Sequence, residues 1–288
     1  MLQETINASE LRVFELILPG PLTVSEIVQR AELSISWVSE CLAHLEQLWL
    51  VERRKEGLTV RASLARTRTA EALRLLLKES PYIAPSGILT GPGLVMLPLL
   101  LWPGATPNQI SSRTSVSART ARRRIQQWRG MGVVIKRTSP LRYLINPERA
   151  FLEAFVEDYS MERNQRFLRS VVPSAVMIWH WRDEILFTTD GDIEGDEFLS
   201  AGPTRLGELG YNIVSTRMCY LYSQDKTTVG DEEALVQTLR MDPENPRPMR
   251  FIREAIGDGR ARVGVLLEFA RKYEVTELVR KGGVGAGK

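Results

Sequence analysis

A segment of forty residues, Thr106 to Ile145, contains eight Arg and one Lys but neither Asp nor Glu. The whole chain of 288 residues is nearly balanced, with 38 basic and 35 acidic residues and a formal net charge of +3. Positive charge is therefore concentrated in this segment, whose apolar residues keep helical spacing. Such a pattern is typical of a surface that contacts a polyanion.

The first part of this segment predicts two helices separated by a tight turn. Residues Thr106 to Gln109 supply an N-cap, a proline at the first helical position and a Gln that closes a capping box. The turn at 115–117 ends this helix at about Thr114, and Ser117 caps a second helix that runs to about Gly130. In the second helix, apolar residues at spacings of four and three share one buried face, namely Ala121, Ile125 and Trp128.

The other face of the second helix carries side chains suited to reading DNA. In a helix-turn-helix, the second helix presents its N-terminal residues to base edges in the major groove. Arg suits guanine and Gln suits adenine there, each through paired hydrogen bonds. We predict that the DNA-contacting residues of this helix are Ser117, Arg119, Thr120, Arg122, Arg123 and Gln126. The alternative is a solvated charged surface.

Two β-rich runs follow the helices. Residues 133–137 and 142–145 flank a turn at Ser139-Pro140 and predict a basic two-stranded wing. We predict that Lys136, Arg137 and Arg142 contact phosphates or the minor groove, as suits the end of a ribbon. For Arg142, an ion pair with Glu148 is one alternative, and for both Arg137 and Arg142 another is an exposed side chain without a partner.

An earlier part of the chain repeats this pattern. When the sequence is shifted by 83 positions without a gap, Thr23 and Ser34 fall on the two predicted N-caps, and Leu42 and Leu45 fall on two of the buried positions. The chain thus contains two copies of one unit, each too short for a full core by itself. The first copy also has a basic wing, formed by Arg53, Arg54 and Lys55.

Both copies resemble the winged-helix domains of MarR-like and ArsR-like transcriptional regulators, over roughly residues 8–62 and 91–145. The resemblance is carried by Ser34-x-x-x-Val38-x-x-x-Leu42-x-x-Leu45-Glu46 with Leu50-Val51, and by Ser117-x-x-Thr120-Ala121-x-Arg123-x-Ile125-x-x-Trp128 with Gly132-Val133-Val134. It implies a regulator of transcription that contacts double-stranded DNA with the second helix and the wing of such a domain.

The two copies differ in the residues that would face DNA. The second helix of the first copy contains Glu40 and Glu46 but no Arg or Lys, and Trp37 stands where a base-reading residue is expected. Trp49 replaces the glycine that the second copy has before its wing, Gly132. We therefore predict that the second copy reads sequence, while the first supports it, dimerises or contacts phosphates with its wing.

Neither a metal nor another cofactor is predicted. Cys41 and His44 lie one helical turn apart, but two ligands do not complete a tetrahedral site, and Cys is commonly a small core residue. The second cysteine, Cys219, is too far away in the sequence to suggest a disulfide framework.

The predicted fold is mainly α with α+β: two tandem winged helix-turn-helix domains, a long linker helix and a C-terminal α+β domain. The predicted limits are 1–80 for the first domain with a connecting helix at 63–79, 81–146 for the second, 147–172 for the linker helix, 173–281 for the C-terminal domain and 282–288 for a flexible tail. Residues 81–92 read as a linker. The repeat also predicts a helix at 91–101, although Pro98 should interrupt it. The linker helix is expected either to form a dimer seam or to pack on its own chain.

The C-terminal part resembles the C-terminal domain of AbiEi-type antitoxins and related nucleotidyltransferase-like domains, through residues 201–210 and a strand predicted at 211–215. The resemblance implies two alternatives to a plain regulator: an antitoxin that represses its own operon, and an enzyme. An active nucleotidyltransferase needs a glycine turn ahead of two carboxylates that hold magnesium. Asp190 and Asp192 are the candidate pair, but no such turn precedes them, so we predict solvated loop acids and no enzymatic activity.

No signal peptide is expected at the start of the sequence, and the longest apolar run, 94–102, is too short to span a bilayer. We predict a cytoplasmic protein without a membrane partner. A homodimer on double-stranded DNA is expected, with a protein partner or a small effector at the C-terminal domain.

Overall fold

The computed structural model describes residues 5–57, 59–80, 84–182, 184–213, 215–224 and 226–284. The fold is mixed, with 53% helix and 17% strand in small antiparallel sheets. Contacts divide the chain into unit 1, Met1–Glu162, and unit 2, Arg163–Lys288. The finer domain limits given above remain predictions.

The first copy of the repeat contains three helices and a small sheet. The elements are α1 (Ala8–Ile17), β1 (Leu22–Thr23), α2 (Val24–Ala31), α3 (Ile35–Gln47), β2 (Val51–Glu56) and β3 (Thr59–Leu64), followed by α4 (Arg68–Glu79). The strands form an antiparallel sheet in the order β1, β3, β2. We call β2 and β3 the first wing.

The second copy begins with three short helical segments in place of α1 and then has two helices and two strands, as the first copy does from α2 onward apart from β1. Its elements are α5 (Pro85–Leu89), α6 (Gly93–Met96), a 3₁₀ helix (Leu97–Leu100), α7 (Pro107–Arg113), α8 (Ala118–Gly130), β4 (Val134–Thr138) and β5 (Leu141–Ile145). The strands β4 and β5 form an antiparallel hairpin, which we call the second wing. The long helix α9 (Ala150–Val171) follows and contains the boundary between the two units.

The predicted helix starts of the repeat are confirmed. Thr23 and Thr106 each form a complete capping box, and Ser34 and Ser117 each accept a backbone hydrogen bond at the third helical residue. The ends of α3 and α8 also match, because the residue that leaves each helix has a left-handed backbone, with φ of 57° at Trp49 and 66° at Gly132. A left-handed residue is a frequent end to a helix, and Trp49 adopts it without being glycine. Both copies therefore share the left-handed backbone conformation at this position, although only the second copy has a glycine there.

Three expectations for the connecting segments need correction. Residues 63 and 64 lie in β3, and the connecting helix begins only at Arg68, where Thr67 caps it. The linker predicted at 81–92 contains a helix, α5, and its first residues, 81–83, lie outside the described residues. The helix expected at 91–101 is α-helical only from Gly93 to Met96 and continues as a 3₁₀ helix, since Pro98 cannot donate a backbone hydrogen bond.

A single apolar core connects the two copies within unit 1. The predicted buried face of α8 is confirmed, because Ala121, Ile125 and Trp128 are all at most 1% exposed. The copies also meet through an isolated parallel bridge between Ile6 and Thr90. Packing against each other supplies the burial that one copy could not provide alone.

Unit 2 is a four-stranded antiparallel sheet with helices. After the end of α9, its elements are β6 (Val176–Trp181), β7 (Glu184–Thr189), β8 (Phe198–Ser200), α10 (Gly202–Glu208), β9 (Met218–Tyr222), α11 (Asp231–Met241), α12 (Pro246–Gly257), α13 (Val263–Lys272) and α14 (Thr276–Lys281). The strand order is β6, β7, β9, β8. Leu186 and Leu221 belong to the core formed with the helices, whereas Phe187 and Tyr220 belong to a second core formed with the end of α9. The sheet is thus packed on both faces.

Two expectations for unit 2 also change. The described residues of the strand predicted at 211–215 form no strand; the Tyr211 amide instead donates to the Leu206 carbonyl at 3.0 Å, which closes the end of α10. The short strand β8 was not predicted. Val284, at the start of the predicted tail, is 4% exposed and packs in the core, and residues 285–288 lie outside the described residues.

Buried charges join β7, α11 and α13 inside unit 2. The side chain of Glu233 on α11, only 3% exposed, accepts hydrogen bonds from Lys272 Nζ at 3.2 Å and Tyr273 Oη at 2.7 Å and forms an ion pair with Lys226. Lys272, on α13, also forms an ion pair with Glu184 on β7. Burial by itself would raise the pKa of Glu233, but the two lysines outweigh it and the pKa is lowered. The lysine and glutamate side chains of this network therefore stay charged while they connect the three elements.

Among the described residues, no helix combines the length and the apolarity needed to cross a lipid bilayer.

Candidate nucleic-acid interface

The orientation of α8 is fixed by its buried face. Trp128 is completely buried, and its indole Nε1 donates to the Gly87 carbonyl at 3.0 Å. Arg124 points to the same side and donates to the carbonyl of Thr90 at 2.6 Å. Burial, together with the nearby charge of Arg123, lowers the pKa of Arg124. These contacts to the preceding segment leave the opposite face of α8 toward solvent.

Two arginines on this outward face have no side-chain partner among the described residues. Arg119 and Arg123 are exposed and lie one turn apart, so their side chains share one side of the helix. In the described part of the chain, neither side chain forms a hydrogen bond or an ion pair. A pair of uncompensated guanidinium groups on a rigid helix is prepared to bind anionic or hydrogen-bond-accepting groups.

The other predicted contacts on α8 already have partners. Arg122 donates to Asn108 Oδ1 on α7 at 3.3 Å, and Gln126 Oε1 accepts from Arg129 at 3.1 Å. The hydroxyl groups of Ser117 and Thr120 lie 2.9 Å apart at the start of the helix, where Ser117 also caps the Thr120 amide. These are exposed, single contacts that a ligand can replace, unlike the buried ones of Arg124.

In the second wing, two predicted arginines contact the loop that precedes α7. The guanidinium of Arg137 lies 4.6 Å from the ring centroid of Trp102, a cation–π distance, and Arg142 Nη1 donates to the Gly104 carbonyl at 3.3 Å. The structure thus gives Arg142 a partner other than Glu148, and it gives both arginines a contact, so neither is an exposed side chain without a partner. Lys136 is exposed and has no partner among the described residues.

Trp102 is a candidate contact residue that the sequence interpretation missed. Its side chain is 57% exposed although it is large and aromatic. A signal was present, since Trp102 stands at the end of an apolar run and four residues before the acid-free segment. Its position beside the second wing depends on the loop conformation, which local sequence does not specify.

The corresponding surface of the first copy is electrostatically different. Arg53 binds Glu46 through Nε at 2.8 Å, and Arg54 lies 3.0 Å from Glu52, so two of the three cations predicted in the first wing are neutralised. The third, Lys55, is exposed and has no partner among the residues described. The start of α3 instead exposes apolar side chains, with Ile35 63% and Trp37 39% exposed. The structure therefore gives the two copies different surface chemistry.

Cys41 and His44 have separate surroundings. His44 Nδ1 lies 2.8 Å from Glu10 Oε1, whereas Cys41 is buried, and burial together with the charge of Glu10 raises the pKa of its thiol to about 11. No group of three or more His, Cys, Asp or Glu side chains that could hold a metal ion occurs within the described ranges.

Both cysteines are expected to resist thiol reagents in the folded protein. The reactive species is the thiolate, and at pH 8 a thiol with the pKa of Cys41 is ionised in roughly one molecule in a thousand. Burial raises the pKa of Cys219 still further. Titration with a chromogenic disulfide reagent at pH 8 should therefore detect neither thiol without denaturant and both in guanidinium chloride. Rapid reaction of one equivalent in the native state would show that a cysteine is accessible.

The carboxylates considered for an enzyme have their own partners. Asp190 Oδ1 lies 3.1 Å from Arg217 Nε, and Asp192 Oδ1 accepts a hydrogen bond from Tyr220 Oη at 3.2 Å. Each carboxylate is thereby directed to a different side chain.

No family model matches the sequence, and no curated protein matches it significantly. Among solved structures, HlyU from Vibrio cholerae N16961 is 37% identical over a match that covers 25% of this chain and 78% of HlyU, with a TM-score of 0.24. Reduced HlyU from the same source is 35% identical, covers 26% of this chain and 78% of its own, and has the same TM-score of 0.24.

Proposed function

We propose that the chain is a transcriptional regulator that binds double-stranded DNA through α8 and the second wing. The observation that carries this proposal is the pair Arg119 and Arg123, which lies on the outward face of α8 and has no side-chain partner in the described part of the chain. Trp128 and Arg124 fix the opposite face of this helix. Both copies are, in this proposal, winged-helix domains, and the molecule acts by binding rather than by catalysis.

The charge distribution supports DNA as the polyanion. Since residues 106–145 contain no acid, no carboxylate of this segment repels a phosphate backbone brought against α8 or the second wing. The major groove is about 12 Å wide and admits an α-helix, and Arg offers the donor pair that guanine accepts. Arg119 and Arg123 would read bases, while Lys136 and Arg137 would contact the backbone.

The first copy supports the second in this arrangement. Glu46 and Glu52 neutralise most of its wing, and α3 carries no basic side chain toward solvent apart from His44, which faces Glu10. Because one α8 reads only a few base pairs, we propose a homodimer that presents two copies of α8 to adjacent half-sites.

Affinity for duplex DNA should fall steeply with salt. Each phosphate that a cation neutralises releases condensed counterions, so contacts to about six phosphates give a slope of log K against log salt of about −5. Fluorescence anisotropy with a labelled duplex, at salt concentrations from about 50 to 200 mM, measures this slope. A slope near zero would contradict the proposal, and a poly-glutamate competitor controls for a general attraction to anions.

Arg137→Ala should weaken operator and random DNA by similar factors and lower the salt slope by about one unit. The reason is that a phosphate contact is the same whatever the base beside it. Arg54→Ala is the matched control, because Arg54 lies in the first wing and is paired with Glu52. The affinities of the variant for operator and scrambled duplexes, measured at several salt concentrations, test this prediction. A loss of affinity confined to the operator would mean that the second wing reads sequence.

A further inference from the structure

Unit 2 contains a cleft of about 860 Å³ between α12, the end of α11 and the segment that follows α10. It lies within the 300 to 1,000 Å³ typical of small-molecule sites. Its lining mixes aromatic, cationic and amide groups, including Tyr211, Asn212, Arg247, Phe251 and Arg260. On α12, Arg247 and Phe251 are one turn apart and therefore face the cleft together.

One wall of the cleft is aromatic. The rings of Tyr211 and Phe251 meet edge to face, with centroids 6.0 Å apart and an interplanar angle of 79°. Arg260 covers the ring of Tyr211, with its guanidinium carbon 4.5 Å from the centroid, and the Tyr211 hydroxyl donates to Asp231 at 3.3 Å. Tyr211 is thus held from two sides and is only 7% exposed, so a planar ring in the cleft would pack mainly against the half-buried Phe251 and the exposed part of Tyr211.

One cation of the cleft is uncompensated. Arg250 donates to Glu254 at 2.7 Å, and Arg260 donates to Asp258 at 2.9 Å, so their charges are balanced locally. The side chain of Arg247 is exposed and has no partner in the described part of the chain. A carboxylate or phosphate bound there would gain a charge-assisted, two-pronged contact.

We infer that this cleft binds a small organic anion that carries a planar ring: the ring packs against Tyr211 and Phe251, and the anionic group is held by Arg247. The inference goes beyond DNA binding by unit 1 and does not depend on it. A carboxylate and a phosphate share the required chemistry, and experiment distinguishes them.

The test uses the full chain without DNA and isothermal titration with four probes. Salicylate and adenosine 5′-monophosphate each combine a ring with an anionic group, whereas adenosine lacks the anion and inorganic phosphate lacks the ring. We expect one or both of the first two to bind at least roughly tenfold more tightly than the last two, since each half of the ligand contributes. Whichever of the two binds more tightly identifies the anionic group.

Variants assign the binding to the cleft. Arg247→Gln should weaken the preferred probe by roughly tenfold or more, because it removes the charge-assisted contact. Phe251→Leu keeps an apolar side chain and removes the ring, and should also weaken it. Arg271→Gln, at an exposed arginine outside the cleft lining, should leave binding unchanged. The inference is overturned if neither ring-bearing anion binds, if phosphate alone binds as well as they do, or if Arg271→Gln matches Arg247→Gln.

Discussion

Replacing Arg119 and Arg123 together by Ala is expected to abolish the preference of the protein for its operator over random DNA. Base contacts by arginine contribute about 1 to 3 kcal/mol each, so losing both lowers operator affinity by roughly 30-fold to 10⁴-fold. Both side chains are exposed and form no hydrogen bond or ion pair with described residues, so the fold should not change. Competitive binding of operator and scrambled duplexes measures the loss.

The matched control lies in the first copy. Trp37 and Glu40 occupy the start of α3, where the 83-residue repeat places them opposite Thr120 and Arg123. Replacing Trp37 and Glu40 by Ala should leave operator preference intact. If that control variant relaxes specificity more than the double arginine variant does, the proposed roles of the two copies are reversed.

Trp128→Ala is expected to lower the stability of unit 1 by a large amount. Trp128 is among the largest fully buried side chains, and its removal leaves a cavity and deprives the Gly87 carbonyl of its donor. Truncation of a buried Trp typically costs about 3 to 5 kcal/mol. Hydrogen exchange of the α8 amides should therefore show an opening free energy lower by about that amount, with a parallel loss of DNA binding.

A second tryptophan provides the comparison. Trp102 is 57% exposed, so Trp102→Ala removes little buried surface and should change the opening free energy of α8 by less than about 0.5 kcal/mol. Because Arg137 stacks on Trp102, this variant can still weaken DNA binding through the second wing. Equal destabilisation by both substitutions would show that Trp128 is not a central anchor of α8.

The different surfaces of the two copies explain how one repeated unit can take two roles. The bounds and N-caps of α3 and α8 agree at a separation of 83 residues. Yet α8 exposes Arg119 and Arg123, which have no side-chain partner among the described residues, whereas α3 has Ser36 and Glu40 at these positions. Backbone geometry is therefore shared while surface charge is not. In the proposed regulator, the second copy supplies the DNA contact and the first supplies packing.

Local sequence determined the bounds of α8 and its buried face. Ser117 caps it, and the spacing of Ala121, Ile125 and Trp128 directs one side inward, because both effects act within a few residues along the chain. Absence of acids from residues 106–145 likewise identified the basic surface without any structure.

Only the tertiary structure decided which cations remain free. Arg124 lies in the same basic run as Arg123, but it donates to the Thr90 carbonyl, 34 residues away, while Arg123 has no side-chain partner among the residues that the structure describes. Arg53 appears equally basic in the sequence and is neutralised by Glu46, which lies on a different element. The cleft in unit 2 also requires α11, α12 and the segment after α10 to meet. These outcomes depend on contacts between residues distant along the chain, and local pattern and propensity carry no information about such contacts.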